Sequence, residues 1–379
     1  MAKKIKVIVN AVPLNNVDTG ISRYLRCLYK ELERQYGERL EIGYFDGSRV
    51  NSSMPRGPDN LTRWSGIVEV FWRLPAYPAL TLRVCMHLKR QAFFRKFAKD
   101  FELYHEGAFF PFAVPDNVKT VFTLHDLSVS LFPKYHPRER VLYYRLFLRK
   151  SCKNVSHFLT VSRFTQREIG TLFHIPNEKI TVTHEGYDPE VFYPRPQEEV
   201  EALLSLRGLP RKYFLFVGSG DPRKNIDIIP IALEKADLQF PLLVAGWQGW
   251  VSKRAWNNVI FLNYVNDGVL ARLYSGALAL VFPSSYEGFG LPVLEAMACG
   301  CPVVTTREAS LPEVAGDSAL YMKGPREAED LAGILRDLVE NPGLRQELRE
   351  KGLRQARKFS WKETAEATFQ VFERVLLGT

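Results

Sequence analysis

The chain reads as α/β from end to end, arranged as two doubly wound domains with parallel sheets. Three observations lead there. Short apolar runs alternate with helical stretches, the pattern of strands covered by crossover helices. That alternation comes in two series, separated by the proline-rich residues 187–196. At 379 residues, the chain is long enough for two such cores.

Taken in order, the first strand is the apolar run 6–9, and a helix follows over 20–36 with Ile21, Leu25, Leu28 and Leu32 on one stripe. Strands at 118–124, 157–161 and 180–183 come next, with helices at 138–153 and 163–173 between them. Beyond the linker, strands fall at 213–217, 241–245, 259–262, 278–282 and 302–305, with helical sequence between. Residues 360–377 read as a last helix. The expected division is a first domain over 1–190, a second over 191–359, and a terminal helix, 360–379, that packs back on the first domain.

Composition narrows the class. Hydrophobic residues make up 46% of the chain and charged residues 25%, an ordinary globular balance. The five cysteines, Cys27, Cys85, Cys152, Cys299 and Cys301, include no C-x-x-C pair, so all are expected reduced, which favours the cytoplasm. Met1 to Lys4 run straight into a strand, so no signal peptide is expected. No apolar run reaches the roughly 18 residues that a membrane span needs. Charge is unevenly placed. Residues 1–195 hold 30 Lys and Arg against 19 Asp and Glu, whereas 196–379 hold 21 against 23. The first half should therefore meet something anionic: an acidic lipid surface, a diphosphate-bearing substrate, or nucleic acid. No nucleic-acid recognition motif accompanies the charge, so nucleic acid is not expected as a partner.

The most informative segment is Glu287-Gly288-Phe289-Gly290-Leu291-Pro292, followed by Glu295 one helical turn in. It reads as a strand end, a glycine loop and a helix opening at Pro292, where a missing N–H costs nothing. Such a loop presents free N–H groups and the positive end of a helix dipole to an anion. Two carboxylates, Glu287 and Glu295, flank the same spot, and anion-binding backbone beside hydroxyl-accepting carboxylates suits a sugar nucleotide. A second turn, from Gly218 and Ser219 to Asp221, Arg223, Lys224 and Asn225, also joins a strand to a helix. Its adjacent cations suit a diphosphate, and a solvated basic turn is the alternative. The turn 16–19 before Gly20 is a weaker phosphate candidate, equally consistent with turn chemistry. His125 ends the strand 118–124, where substrates lie in α/β domains; a histidine satisfied within the core is the competing reading. His105 and His184 stand at comparable positions. No set of His, Cys, Asp or Glu has metal-ligand spacing, so neither a metal nor another cofactor is expected.

On these residues the chain resembles the retaining glycosyltransferases of family 4, whose two Rossmann-like domains form the GT-B architecture. Glu287 to Glu295 matches the family's E-x7-E signature within E-G-F-G-L-P-x-x-E-A-M-A. Further matches are Val217-Gly218 through Pro222-Arg223-Lys224-Asn225, the run from Tyr264-Val265 to Leu273-Tyr274, Ser310-Leu311-Pro312-Glu313-Val314, His125-Asp126 and Val161-Ser162-Arg163-Phe164. The resemblance implies two domains facing across a cleft, with the nucleotide-diphosphate sugar bound mainly by the second. Arg223 and Lys224 would hold the diphosphate, assisted by Ser219, Gly288 and the amides of Phe289, Gly290 and Leu291. Glu287 would orient the sugar, Glu295 would accept from the ribose hydroxyls, and Val265 would line the nucleotide. His125 would lie near the sugar and Gly20 near the diphosphate. Transfer would proceed with retention, through a front-side oxocarbenium-like path, without a metal.

The chain departs from the family in ways that bear on specificity. Ser219 stands where many members have arginine, and Arg223 is a candidate to supply that guanidinium. Residues 184–188 replace an Asn-Gly-Val-Asp-like turn, so His184 receives no role. Gly246-Trp247-Gln248-Gly249-Trp250 is similar to a turn of bacterial mannosyl- and rhamnosyltransferases of polysaccharide synthesis, which points to GDP-mannose. UDP- and dTDP-sugars are the alternatives. A glycan or lipid-linked saccharide is the implied acceptor, in assembly of surface polysaccharide such as O-antigen or capsule. Residues 71–101 mix aromatic and basic side chains, so the first domain could meet an anionic membrane surface on the inner face of the cell membrane. An ordinary domain helix is the competing reading there. Two other classes stay open: a nucleotide-sugar enzyme such as an epimerase, and a non-enzymatic polyanion-binding protein on the membrane.

Overall fold

The computed structural model describes residues 4–15, 20–55, 75–246, 256 and 258–378. The chain divides into two compact units, one made of Met1–Glu185 with Trp361–Thr379, the other of Gly186–Ser360.

The first unit is built on a sheet of order β3-β2-β1-β4-β5-β6-β7. Its strands are β1 (Ile5–Asn10), β2 (Leu40–Phe45), β3 (Val50–Asn51), β4 (Leu103–Glu106), β5 (Lys119–Leu124), β6 (His157–Thr160) and β7 (Ile180–Val182). All neighbours pair in parallel except β3, which runs antiparallel to β2. Strands β2 and β4 escape a reading by apolar runs, because Glu41 interrupts one and His105 and Glu106 occupy the other. Helices cover both faces. The Gly20–Tyr36 helix buries Tyr24, Leu25, Leu28 and Leu32, and the final helix, Trp361–Leu377, packs beside it, with Tyr36 stacked 3.9 Å from Phe369 and Arg39 over the same ring. A hydrogen bond from Thr364 to the His184 carbonyl adds to this junction. On the other face, Phe94 from the Ala76–Ala98 helix joins Ile8, Phe45, Tyr104 and Phe112 in one cluster, and Leu148 from Arg138–Cys152 joins Phe110, Phe122 and Phe158 in another.

The second unit has a fully parallel sheet of order β10-β9-β8-β11-β12-β13. Its strands are β8 (Phe214–Val217), β9 (Leu242–Ala245), β10 (Val259–Asn263), β11 (Ala279–Phe282), β12 (Val303–Thr306) and β13 (Leu320–Met322). The four residues of β11 and of β12 are all buried, as expected for strands covered on both faces. Each sheet reverses its strand order once, between β1 and β4 in the first unit and between β8 and β11 in the second. In open α/β sheets, ligands bind beyond the carboxyl ends of the strands at such a reversal. Among the described residues, no helix is long and apolar enough to cross a membrane.

Candidate active site

The two motif loops of the second unit leave β8 and β11, the strands that flank its reversal point. After β8, Gly218 (φ 152°) and Gly220 lead into a short turn of 3-10 helix, Pro222–Lys224, that ends at Asn225 in the left-handed region (φ 47°). After β11, residues 283–290 feed the helix Leu291–Ala298. The loops are bonded to each other. Ser285 N donates to the Arg223 carbonyl at 2.8 Å, and Asn225 Nδ2 donates to the Pro283 carbonyl at 2.9 Å and to Ser285 Oγ at 2.7 Å. Asn225 is 3% exposed, so these bonds form out of water and fix the relative position of the loops.

That bracket sets the geometry of the charged groups. Lys224 Nζ lies 3.0 Å from Glu287 Oε1, which also accepts from Ser284 Oγ at 2.9 Å. The lysine stem lies against Gly218, where a Cβ would come within 3.1 Å of it, and its ammonium sits 4.8 Å from the Phe282 ring centroid. Arg223 is engaged differently. Its Nε and Nη2 form a fork on Asp221, with contacts of 3.1, 3.2 and 2.6 Å. Burial raises the Asp221 pKa, but the bonds and charge of Arg223 outweigh it and hold the carboxyl below its usual value. Both cations of the β8 loop therefore face carboxylates of their own unit.

The helix N-terminus is as the glycine pattern requires. Gly290 adopts φ 109°, no side chain caps the helix, and Pro292 occupies the first turn. Ser310 Oγ reaches the carbonyls of Glu287 and Phe289 at 2.8 Å each, and Thr306 Oγ1 donates to the Ser284 carbonyl at 2.6 Å, so the end of β12 holds the loop from behind. Glu295 is 2% exposed and accepts from Tyr274 OH at 3.3 Å. Val265 is buried just before Asn266, which caps the Asp267–Gly276 helix. Ser219 and Gly288 are half-buried, whereas Phe289 is buried and packs edge-on against Phe359.

The first unit holds the remaining candidates. Gly20 opens its helix with open space around it; residues 16–19 lie outside the described residues, as does the turn 247–250. His125 follows β5. Its Nε2 lies 3.0 Å from the Gly107 carbonyl, its Nδ1 lies 3.6 Å from Glu185 Oε1, and its ring meets Tyr24 edge-on at 4.6 Å. His105, by contrast, is a core histidine bonded to Tyr29 OH at 2.7 Å and Thr123 Oγ1 at 2.8 Å, and burial, then the neighbouring His125, pushes its pKa down to about 3. At the reversal point of this sheet, the buried Glu106 accepts from Asn10, Tyr104 and the amides of Ala108 and Phe109. A polar cavity of about 500 Å³ opens beside β2 and β3, lined in part by Asn15, Asp46, Arg49, Asn51 and Ser53. Among the described residues, no cluster of His, Cys, Asp and Glu could hold a metal ion.

Sequence reasoning singled out Arg223, Lys224 and Glu287, and the fold brings them to one place. The spacing does not show the hold of Asp221 on Arg223, the support from Thr306 or the bracketing role of Asn225. An asparagine directly after a short basic turn was the available signal, since asparagine tolerates the left-handed region.

A family model described as glycosyltransferase family 4 matches residues 19–191, and one described as glycosyl transferases group 1 matches residues 205–355. The chain is 31% identical to an O-antigen chain mannosyltransferase B from Escherichia coli, covering 97% of this chain and 99% of that one. In structure it is similar to a sucrose-phosphate synthase from Thermosynechococcus elongatus, with a TM-score of 0.74 and 18% identity over 100% of both chains. It is also similar to WaaG, a glycosyltransferase involved in lipopolysaccharide biosynthesis, with a TM-score of 0.67 and 16% identity over 97% of this chain and 99% of that one. At such identities the structural likeness establishes the fold, which is GT-B.

Proposed function

Because the chain belongs to the family 4 glycosyltransferases, we propose that it transfers mannose from GDP-mannose, with retention, to a glycan or lipid-linked saccharide in the assembly of bacterial surface polysaccharide. The observation that carries the donor half of this reading is the bracketed pair of loops at the β8/β11 reversal. There Lys224 and Glu287 stand 3.0 Å apart in front of an uncapped helix N-terminus. The diphosphate is met by Lys224 and the amides of Gly290 and Leu291, which stabilise the charge that develops as the sugar–phosphate bond breaks. Arg223 joins them when it exchanges Asp221 for a phosphate oxygen. Glu287 then accepts from the sugar hydroxyls, and Glu295 from the ribose once it turns from Tyr274. His125 is assigned to the sugar on the family resemblance alone. The choice of mannose is supported by the name of the E. coli relative, which the chain matches over nearly its full length.

The acceptor belongs to the first unit, the basic one. Its Ala76–Ala98 helix carries no acidic residue, and Leu82, Met86 and Phe93 are exposed on it beside Lys89 and Lys96. Apolar residues interleaved with cations suit the interface of an anionic bilayer, where a lipid-linked acceptor would be presented. The polar cavity lined by Asn15, Asp46 and Asn51 suits saccharide hydroxyls.

The test is nucleotide release from a panel of GDP-, UDP- and dTDP-sugars with glycan and lipid-linked acceptors present. GDP release from GDP-mannose is expected. Release only from a UDP- or dTDP-sugar would replace the donor, and release from none would turn the reading towards a polyanion-binding protein. Flotation with phosphatidylglycerol vesicles tests the membrane face; no salt-sensitive binding would remove it.

A further inference from the structure

We propose that Glu185 is a positioning residue for His125: it holds the imidazole in one orientation with both ring nitrogens carrying protons, so that His125 acts as a fixed cation and not as a proton acceptor. The proposal deepens, and rests on, the reading that His125 serves the transfer.

The argument starts from the ring. A neutral imidazole has one N–H and one lone pair, and an imidazolium has two N–H groups. In this structure both nitrogens of His125 face oxygen. Nε2 lies 3.0 Å from the Gly107 carbonyl, which can only accept, so Nε2 carries a proton. Nδ1 lies 3.6 Å from Glu185 Oε1. A lone pair on Nδ1 would point at an ionised carboxylate, so the arrangement favours a proton there as well. Burial sharpens the choice, since the side chains are only 13% and 6% exposed. A carboxylate so far from water is costly unless it is paired with a cation.

The surroundings agree. From the Gly20–Tyr36 helix comes the Tyr24 ring, whose hydroxyl is held by Thr123 Oγ1 at 3.0 Å. From β4 comes His105, kept neutral by burial. Asp126, the next residue, adds a second negative charge, and its Oδ1 accepts from the Ser128 amide at 2.8 Å. Burial disfavours a charged His125, yet the Glu185 carboxylate 3.6 Å away, with Gly107 and Asp126, more than offsets it, leaving its pKa above the ordinary 6.5. Glu185 is also the last residue of the first unit before the chain enters the second. The pair therefore ties the end of β5 to the point where the strand after β6 leaves the sheet.

Histidine-labelled NMR tests the pairing, with the His125 signals assigned by their loss in H125Q. In the wild type, His125 should show two ring N–H groups and titrate above an ordinary histidine. Glu185→Gln should lower that titration, and Glu185→Asp should keep it raised, which guards against a general loss of folding in the first variant. In the transfer assay, the alkaline limb of kcat should move to lower pH in E185Q. The expected loss is about tenfold on the alkaline side, recovered as the pH falls, because a positioned electrostatic group is worth at least that much. A singly protonated His125 in the wild type, or a titration that E185Q leaves unchanged, would overturn the proposal. So would turnover in E185Q with an unshifted alkaline limb. Absence of turnover with every donor would instead overturn the function on which the proposal rests, while the NMR result still decides the pairing.

Discussion

Replacing Glu287 with glutamine should separate nucleotide affinity from sugar transfer. In the free protein Lys224 is committed to Glu287 at 3.0 Å, with the two side chains 15% and 17% exposed. A diphosphate can take the lysine only by breaking that pair. The gross Coulomb attraction at this distance is about 5 kcal/mol at an effective dielectric constant of ~20. Most of it is offset by the hydration that the freed groups regain, leaving about 1 kcal/mol of net competition. E287Q keeps the shape and the bond to Ser284 while removing the charge, so it should bind GDP roughly fivefold more tightly. Transfer should fall by about a hundredfold or more, because E287Q removes the carboxylate proposed to orient the sugar. Isothermal titration with GDP and GDP-mannose, beside the release assay, reads both. If E287Q binds GDP no more tightly than the wild type, Lys224 does not have to leave Glu287, and the exchange is wrong.

Three further outcomes follow from the same geometry. Asn225→Ala removes the three bonds that Nδ2 donates and the one that Oδ1 accepts from Arg326, and places alanine at φ 47°, so it should cost about 2–4 kcal/mol in denaturant unfolding and depress transfer with it. Gly246→Ala would put a Cβ 2.2 Å from the Gly218 carbonyl oxygen at φ 128°; more than about 3 kcal/mol of destabilisation is expected, visible as loss of soluble protein or a lowered midpoint. Burial lowers the pKa of His87 and of His157 to about 4 and that of His105 to about 3. Their folded values lie below the unfolded 6.5, so the stability they confer is complete above pH 6.5 and is lost as the pH falls through about 4. A pH series of thermal unfolding should show Tm declining over that window, against the opposite trend from His125, whose raised value stabilises at low pH and loses its effect as the pH rises through it.

The alternation of apolar runs with helices was legible because a strand buried on both faces is apolar along most of its length, and β8, β9 and β11 are apolar throughout. β2 and β4 were not, since Glu41 points to water and Glu106 is buried only because Asn10, Tyr104 and two amides satisfy it. Such compensation comes from other parts of the chain and leaves no local trace. The candidate site divides in the same way. Glycines and adjacent cations announce a loop that meets an anion, whereas the partner of each cation depends on which strands lie side by side. Nothing in the sequence spacing ties Lys224 to Glu287, or His125 to Glu185. Both pairs arise from strand order.

Strand order also explains how a cation comes to stand at the β8 turn beside Ser219. Arg223 is the obvious substitute in sequence, but its fork lies on Asp221, which also accepts from the Arg223 amide and so shapes the short 3-10 turn. That turn carries the chain back over the strand end, and Lys224 comes to rest against Gly218, the residue before Ser219. Its ammonium thus stands at the carboxyl end of β8, one strand from Glu287. Lysine is a compact point charge on a flexible stem, so it can follow a phosphate without leaving the loop, whereas a guanidinium already held by a carboxylate fork cannot do so cheaply. On the proposed donor site Lys224 would meet the diphosphate first, so Lys224→Ala should weaken GDP binding more than Arg223→Ala does. Equal losses in the two variants, measured by titration calorimetry, would show that Asp221 releases Arg223 as readily as Glu287 releases Lys224.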